Sequence, residues 1–265
     1  MNNSAVKQGK FGQLIGIGVG PGNPNNLTLR AIDALKSADL VIAPCSSSDT
    51  EGRAEGIVRQ ALPQIKCQRV VFDMSPGETG VQARKRGARI AAQNLLPLLN
   101  EGKTLAFVTL GDPNVFSTFS LIASVVAELE PEIKISTVPG IMAFQEVASM
   151  SGLNLLDETE KLFLVTAFEG ITDVEESLEH RNAAVVIYKG GRQIDKIKTA
   201  LQEAGRLEGT VVGELLGLDG ERVTMLESIS EPEISYLATV IAPPLRKDDD
   251  QIFQTGTNKK RVRID

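Results

Sequence analysis

Cysteine, histidine and aromatic side chains are scarce here: two cysteines, one histidine, no tryptophan and 4% aromatics in 265 residues. Cys45 and Cys67 are too far apart for a metal knuckle and too few for a disulfide framework, which suits a reducing compartment. His180 stands in the polar run 175–182; one histidine and two separated cysteines argue against a zinc centre, and a histidine set in that polar run argues against a Ser-His-Asp triad. His180 therefore reads as a solvated helix-end residue, and no protein-bound metal is expected. Long apolar runs are missing too: none reaches the about 20 residues that cross a bilayer. Residues 1–10 are polar and lack the apolar core of a secretion signal. A cytoplasmic protein without a membrane partner is expected. Basic residues are outnumbered, 28 against 34 acidic, for a net charge of −6. The basic stripe that a nucleic-acid groove needs is absent, so no nucleic-acid partner is expected.

What the chain does have is apolar residues, 42% of the total, enough for the cores of two α/β domains or one large one. Strand and helix signals alternate through the first half. Residues 13–19 read as a strand, and 27–37 as a helix with Leu27, Ala31, Leu35 and Ala38 on one face. A buried strand over 40–43, a helix over 53–62, an extended run over 68–72, a long helix over 78–99 and a strand over 104–110 follow. This alternation predicts an α/β fold with a mainly parallel sheet and helices on both its faces. Helices are then expected over 113–130 and 141–151, strands over 161–166 and 183–188, and a helix over 193–204. Strands at 210–214, 222–225 and 236–241 lie too close together for crossover helices, so they predict antiparallel pairing and a mixed second sheet. The domain boundary is expected at Gly111-Asp112-Pro113, giving domains 11–112 and 113–245, with Asp112 capping the next helix and Pro113 in its first turn. Residues 246–265 are charged and aperiodic and read as a flexible tail.

Two islands carry the chemistry: GIGVGPGNPNNLTLRA over 16–31 and FVTLGDPNVFSTFS over 107–120. Each is an apolar strand that breaks into Gly, Asp or Pro and reopens as a helix, exposing backbone amides at a strand's carboxyl edge, where open parallel sheets bind ligands. The first island is not a dinucleotide fingerprint. Its glycines fall at 16, 18, 20 and 22, so either register puts Pro21 or Asn23 at the third glycine. The acid expected at the end of the second strand is instead Asp39, ahead of it. Gly20-Pro21-Gly22 also reads as a plain tight turn.

The wording of both islands resembles the tetrapyrrole methylase family of S-adenosylmethionine-dependent methyltransferases, which opens with a strand running into GxGPGxxxxLTLRA. Leu110-Gly111-Asp112-Pro113 and Val138-Pro139-Gly140-Ile141 match further motifs in family order, and the resemblance spans residues 13–243. Thr109 to Thr118 reads TLGDPNVFST. It is similar to the TLGDPxxYST of the branch that methylates precorrin-2 at C20 in cobalamin (vitamin B12) synthesis, with Phe116 at the Tyr position. The uroporphyrinogen-III methylase branch reads GGDPxxFGRG instead.

The resemblance implies a two-domain fold with the active site in a trough between domains, a homodimer, and adenosylmethionine as cofactor with adenosylhomocysteine as product. By motif position, the cofactor contacts it implies are Pro21, Gly111, Asp112, Val115, Ser117, Thr118, Met142, Ala143, Tyr188, Leu216, Ala238 and Thr239. Methyl transfer from a sulfonium is an in-line displacement, so orientation and exclusion of water do most of the work, and no metal or covalent nucleophile is required. The acceptor it implies is a tetrapyrrole ringed by carboxylates, precorrin-2 or its cobalt form, which an acidic protein binds through a local basic lining. Arg30, Arg53, Lys189, Arg192 and Arg222 lie near expected loop ends and are candidates for it, with ordinary surface charge the plainer reading of each. Arg84, Lys85, Arg86 and Arg89 share a helix and read as solvated surface. No catalytic base stands out. Glu214 is a candidate, as is Asp219, for which an Asp-Gly turn is the blander reading. Phe116, Phe119 and Phe144 are candidates for apolar surface at a dimer interface. Other readings remain open: methylation of a different ring carbon, a diphthine synthase-like activity, or a non-catalytic tetrapyrrole carrier.

Overall fold

The computed structural model describes residues 11–72, 78–232 and 234–246. The chain divides into two compact units, 1–142 and 143–265.

The first unit runs β1 (Gln13–Gly18), α1 (Leu29–Ser37), β2 (Leu40–Cys45), α2 (Arg53–Ala61), β3 (Cys67–Val71), α3 (Glu78–Asn100), β4 (Thr104–Thr109), α4 (Thr118–Leu129) and β5 (Lys134–Val138). Its strands are all parallel, in the order β3-β2-β4-β1-β5. One sheet face sets Leu14, Ile42, Leu105 and Phe107 against Ala92 and Leu95 of α3 and Ile122 and Val126 of α4. The other sets Ile17, Val41, Ala43 and Val108 against Ala31 and Leu35 of α1 and Ile57 and Val58 of α2. A strand covered on both faces reads as a nearly continuous apolar run, which is why β1 and β4 are plain in the sequence. Because every strand is parallel, all the carboxyl ends share one edge.

Three expectations need correcting in this half. The sequence walk assigned no strand at Lys134–Val138, yet β5 pairs with β1, Ile17 opposite Val138. That pairing keeps residues 113–142 with the first sheet, so the units divide at 142/143 rather than at 112/113. The helix expected from residue 113 begins only at Thr118, capped by Ser117, whose Oγ accepts from the Phe119 N–H. Asp112 does not cap it and Pro113 is not in its first turn. Phe116 adopts a left-handed φ of 48°, which no helix continues through.

The second unit runs α5 (Ala143–Ser151), β6 (Lys161–Thr166), α6 (Thr172–Leu178), β7 (Ala183–Tyr188), α7 (Ile194–Glu203), β8 (Val211–Glu214), β9 (Arg222–Met225) and β10 (Thr239–Ala242). The sheet order is β6-β7-β10-β8-β9. Only β6 and β7 are parallel; the other pairings are antiparallel, as the close spacing of the last strands predicts. Helix α6 was given no range from the sequence, being too short to show a stripe beyond buried Val174 and Leu178, although the helix-end reading of His180 implied a helix before it. His180 lies exposed just past its end and stacks on Phe163 at 4.9 Å, in keeping with a helix-end role.

The expected tail lies outside the described residues from 247 onward, but its first residue, Arg246, is held. Its guanidinium donates to Glu160 Oε1 at 2.8 Å and Oε2 at 2.7 Å and to the Asn154 carbonyl at 3.1 Å. Arg246 holds the Glu160 carboxyl below the usual range against the opposing pull of burial, and the Asp157 N–H adds to it. A depressed carboxyl stabilises the fold fully above the ordinary value of about 4.3 and loses that contribution as pH falls through its folded value. Glu160→Gln is therefore expected to lower Tm at pH 7, with the gap to wild type closing below about pH 4, as melts over a pH series would register.

Among the described residues, no helix is long and apolar enough to cross a membrane. Both thiols are free, and burial is the chief cause that raises Cys45 and pushes Cys67 up to about 11, leaving neither poised for nucleophilic work.

Candidate active site

Strands β4, β1 and β5 are neighbours, so the turns that follow them leave the sheet side by side. Val19 N–H donates to the Thr109 carbonyl at 3.0 Å, and Gly111 N–H to the Gly20 carbonyl at 2.9 Å. Gly111 has φ 63°, a left-handed conformation that favours glycine. The third turn closes onto the other two. A Cβ built on Gly18 would stand 2.6 Å from the Gly140 nitrogen, and one on Gly140 would overlap the Gly111 carbonyl oxygen. Only glycine lets these backbones approach so closely.

Polar side chains then fasten the arrangement. Asp112 Oδ1 accepts from Asn114 N–H at 2.8 Å, and its Oδ2 accepts from Gly140 N–H at 3.1 Å, so one carboxylate braces two turns. Asn114 Nδ2 reaches Thr137 Oγ1 on β5 at 3.3 Å, and Thr109 and Ser117 share a hydroxyl hydrogen bond at 2.9 Å. Met142 Cα lies 3.9 Å from where a Gly111 Cβ would sit. Pro21, Gly111, Asp112, Val115, Ser117, Thr118 and Met142 thus belong to one set of converging turns.

The remaining cofactor candidates gather within the second unit. Tyr188 ends β7 opposite Thr239, which is in turn opposite Gly213 of β8. Ala238 precedes Thr239 and both are fully buried; Leu216, just past β8, is buried too. Phe144, next to Ala143, gives a backbone hydrogen bond to the Tyr188 hydroxyl, while burial, the larger effect, pushes that phenol up to about 12. Thr239 Oγ1 is buried with no hydrogen-bond partner among the described residues.

The family model of the tetrapyrrole (corrin/porphyrin) methylases matches residues 13–230, most of the chain and all three converging turns. The chain belongs to that family. A precorrin-2 C(20)-methyltransferase from Sinorhizobium sp is 28% identical over 238 residues, 88% of this chain and 95% of that protein. A cobalt-precorrin-2 C(20)-methyltransferase from Salmonella typhimurium is 25% identical over 235 residues, 87% of this chain and 95% of that one. Among solved structures, a cobalamin-synthesis-related protein (CobF) from Corynebacterium diphtheriae superposes with a TM-score of 0.66 at 22% identity, covering 89% of this chain and all of that one. A uroporphyrin-III C-methyltransferase from Thermus thermophilus gives 0.60 at 22% identity over 88% and 93% of the two chains. These likenesses fix the fold, two α/β sheets with flanking helices.

Membership makes the chain an adenosylmethionine-dependent methyltransferase of the tetrapyrrole class, and one local feature of this methylase fits a bound ligand. The orphaned Thr239 hydroxyl is a buried polar atom of the kind a ligand satisfies.

The basic candidates of the methylase divide. Arg30 is exposed on α1. Arg53 opens α2, half-buried, and burial lowers its guanidinium below the ordinary value. Lys189 follows β7 with a left-handed φ of 58°, and exposed Arg192 lies 5.3 Å from the Tyr236 ring centre. Arg222 is engaged by two carboxylates, its Nε donating to Glu214 Oε1 at 2.9 Å and its Nη1 to Glu231 Oε1 at 2.9 Å. Glu214, 8% exposed, spends its other oxygen on the Ser235 N–H at 2.8 Å, so it is a brace and not a base. Asp219 sits in a turn before Gly220, whose φ is 85°, as the blander reading expected. On α3, Lys85, Arg86 and Arg89 are exposed, and Arg89 pairs with Glu128. Phe119 and Phe144, 2% and 5% exposed, are packed inside their own units and offer no surface to a partner copy. Phe116 alone of the three is exposed.

Sequence reasoning missed the close approach of Gly18 and Gly140 and the bracing role of Asp112. The spacing of the Gly-Asp-Pro and Val-Pro-Gly motifs was the only signal, and it does not say that one motif binds the other.

Proposed function

We propose that this methylase transfers the methyl group of adenosylmethionine to C20 of precorrin-2 or its cobalt form, a step in building the corrin ring of cobalamin. The observation that carries the reading is the TLGDPNVFST run from Thr109 to Thr118, lying on the turn that meets the other two at the carboxyl edge of β4. The names of the two relatives aligned over nearly their whole length agree with it. Adenosylmethionine supplies an electrophilic methyl on a sulfonium. The chain's task is then to hold and orient. Within the first unit the proposed contacts are main-chain groups around Pro21, Gly111, Val115 and Met142; within the second they are Ala143, Tyr188, Leu216, Ala238 and Thr239. Asp112, Ser117 and Thr118 keep the turn in place, and Arg30, Arg53, Lys189 and Arg192 receive the acceptor's carboxylates. The conjugated ring carbon attacks the methyl as the methyl–sulfur bond breaks, adenosylhomocysteine leaves, and the proton that the methyl replaces at C20 passes to water, so orientation is the chain's main contribution.

The test is incubation of the purified protein with precorrin-2 and carbon-13-methyl adenosylmethionine, the product being read by NMR. The proposal expects label at C20; label at C2 or C7, or adenosylhomocysteine without a methylated ring, would refute it. A second copy of the chain as a dimer partner also belongs to the proposal, and a sedimentation mass of one chain would remove it.

A further inference from the structure

Phe116 is the one aromatic residue among the described residues held in a left-handed backbone conformation, with φ 48°. For a bulky side chain with a Cβ this conformation is costly, and it persists where the surroundings impose it, typically at ligand sites. Core burial does not explain the strain. Phe116 is 47% exposed, whereas Phe119, three residues on, takes the core position and is 2% exposed. The surroundings do impose it. Before Phe116 the chain is tied by Asp112 to Asn114 N–H and by Asn114 to Thr137; after it, Ser117 is tied to Thr109 and caps α4. The backbone that carries the ring is therefore tied on both sides instead of belonging to a loose loop.

A rigid, half-exposed phenyl with no polar atom suits one kind of ligand surface, a flat apolar face. A conjugated macrocycle offers such a face, with its charges confined to the rim. We propose that Phe116 is a specificity-determining contact for the acceptor, its ring packing on the macrocycle face and setting which ring carbon is presented for transfer. This rests on the tetrapyrrole reading given above and adds to it the residue that recognises the ring face as opposed to the carboxylate rim.

The test uses the full chain and three substitutions, with precorrin-2 as acceptor probe. Phe116→Ala and Phe116→Gly are expected to raise the precorrin-2 KM by at least about tenfold, the effect of losing a stacked aromatic face. Phe116→Tyr keeps the face and should stay within about twofold. Calorimetric affinity for adenosylhomocysteine should stay within about twofold for all three, since the turn is fastened by other residues. Phe116→Gly also relieves the left-handed strain and should raise Tm by about 2 to 4 °C, which separates acceptor loss from unfolding. An unchanged acceptor KM in both Ala and Gly variants overturns the proposal, as does a parallel loss of cofactor affinity or a fall in oligomeric mass. Wild-type protein that binds precorrin-2 but transfers no methyl would sink the proposed activity instead. The Phe116 contact is then decided by absorbance titration of precorrin-2 binding, where the same tenfold weakening supports it and equal affinity overturns it.

Discussion

Gly140→Ala is expected to weaken adenosylhomocysteine binding by at least about 100-fold, the scale of effect that a displacement near 1 Å produces at a preorganised site. The added methyl would overlap the Gly111 carbonyl oxygen and approach the Gly18 carbonyl carbon within 2.8 Å. Both are backbone atoms, so no rotamer change makes room and the turns themselves must separate. Separation also pulls Gly140 N–H away from Asp112 Oδ2, which releases the brace on the 112–114 turn. Gly87→Ala is the matched control. It lies inside α3, its Cβ would meet only Phe72 at an ordinary 3.6 Å, and alanine is the better helix former. Cofactor affinity should be untouched there. Isothermal calorimetry on both variants decides the matter; a Gly140→Ala protein that binds within about threefold of wild type would mean that the convergence of the turns does not hold the ligand.

Arg206→Met should be the most destabilising substitution of a polar residue in the second unit, costing at least about 3 kcal/mol. Arg206 is 1% exposed, and its guanidinium donates to the carbonyls of Leu178, His180, Ala183, Ala242 and Pro243, the shortest bond being 2.6 Å to Ala183. Those carbonyls end α6, precede and begin β7, and end β10, so one side chain ties a helix to two neighbouring strands. Burial, with Arg181 adding to it, lowers the guanidinium to about 10, still charged at neutral pH. Removing it strands several buried acceptors at once. At 2–4 °C per kcal/mol the expected fall in Tm is about 6 to 12 °C. Arg206→Lys should recover little of it, because an ammonium cannot span carbonyls arranged for a planar fork. A Tm within about 2 °C of wild type for the Met variant would show that the carbonyls find other partners.

The parts of the fold that sequence reading captured are those whose pattern is set locally. Strands β1 and β4 are buried on both faces and announce themselves as apolar runs, and the close spacing of β8 to β10 leaves antiparallel pairing as the simple choice. Strand β5 escaped because it edges its sheet: Lys-Ile-Ser-Thr-Val is half-exposed and carries little apolar signal. Losing it displaced the expected domain boundary as well. The start of α4 was misread for a different reason. Asp112-Pro113 imitates a cap followed by a first-turn proline, and only the tertiary demand of Gly140 N–H on the Asp112 carboxylate overrides that local signal.

The motifs singled out Pro21 and residues 111–118, whose turns the structure ties together through Gly20 and Gly111, with Met142 close to Gly111. What no motif conveys is contact between distant turns. Gly18 reads as one more glycine in a strand until Gly140 is seen against it. The sequence does not show that Arg222 and Glu214 pair with each other, or that Glu231 and the Ser235 N–H complete the set. Arg206, isolated between a helix and a strand, gave no signal at all.

The most direct measurement is a crystal of the protein soaked with adenosylhomocysteine. Density for the nucleoside should lie against the main chain at Gly111, Val115 and Met142, at the carboxyl edge of β4, β1 and β5. Density elsewhere on the molecule, with those turns unchanged and bare at saturating ligand, would contradict a methylase built on their convergence.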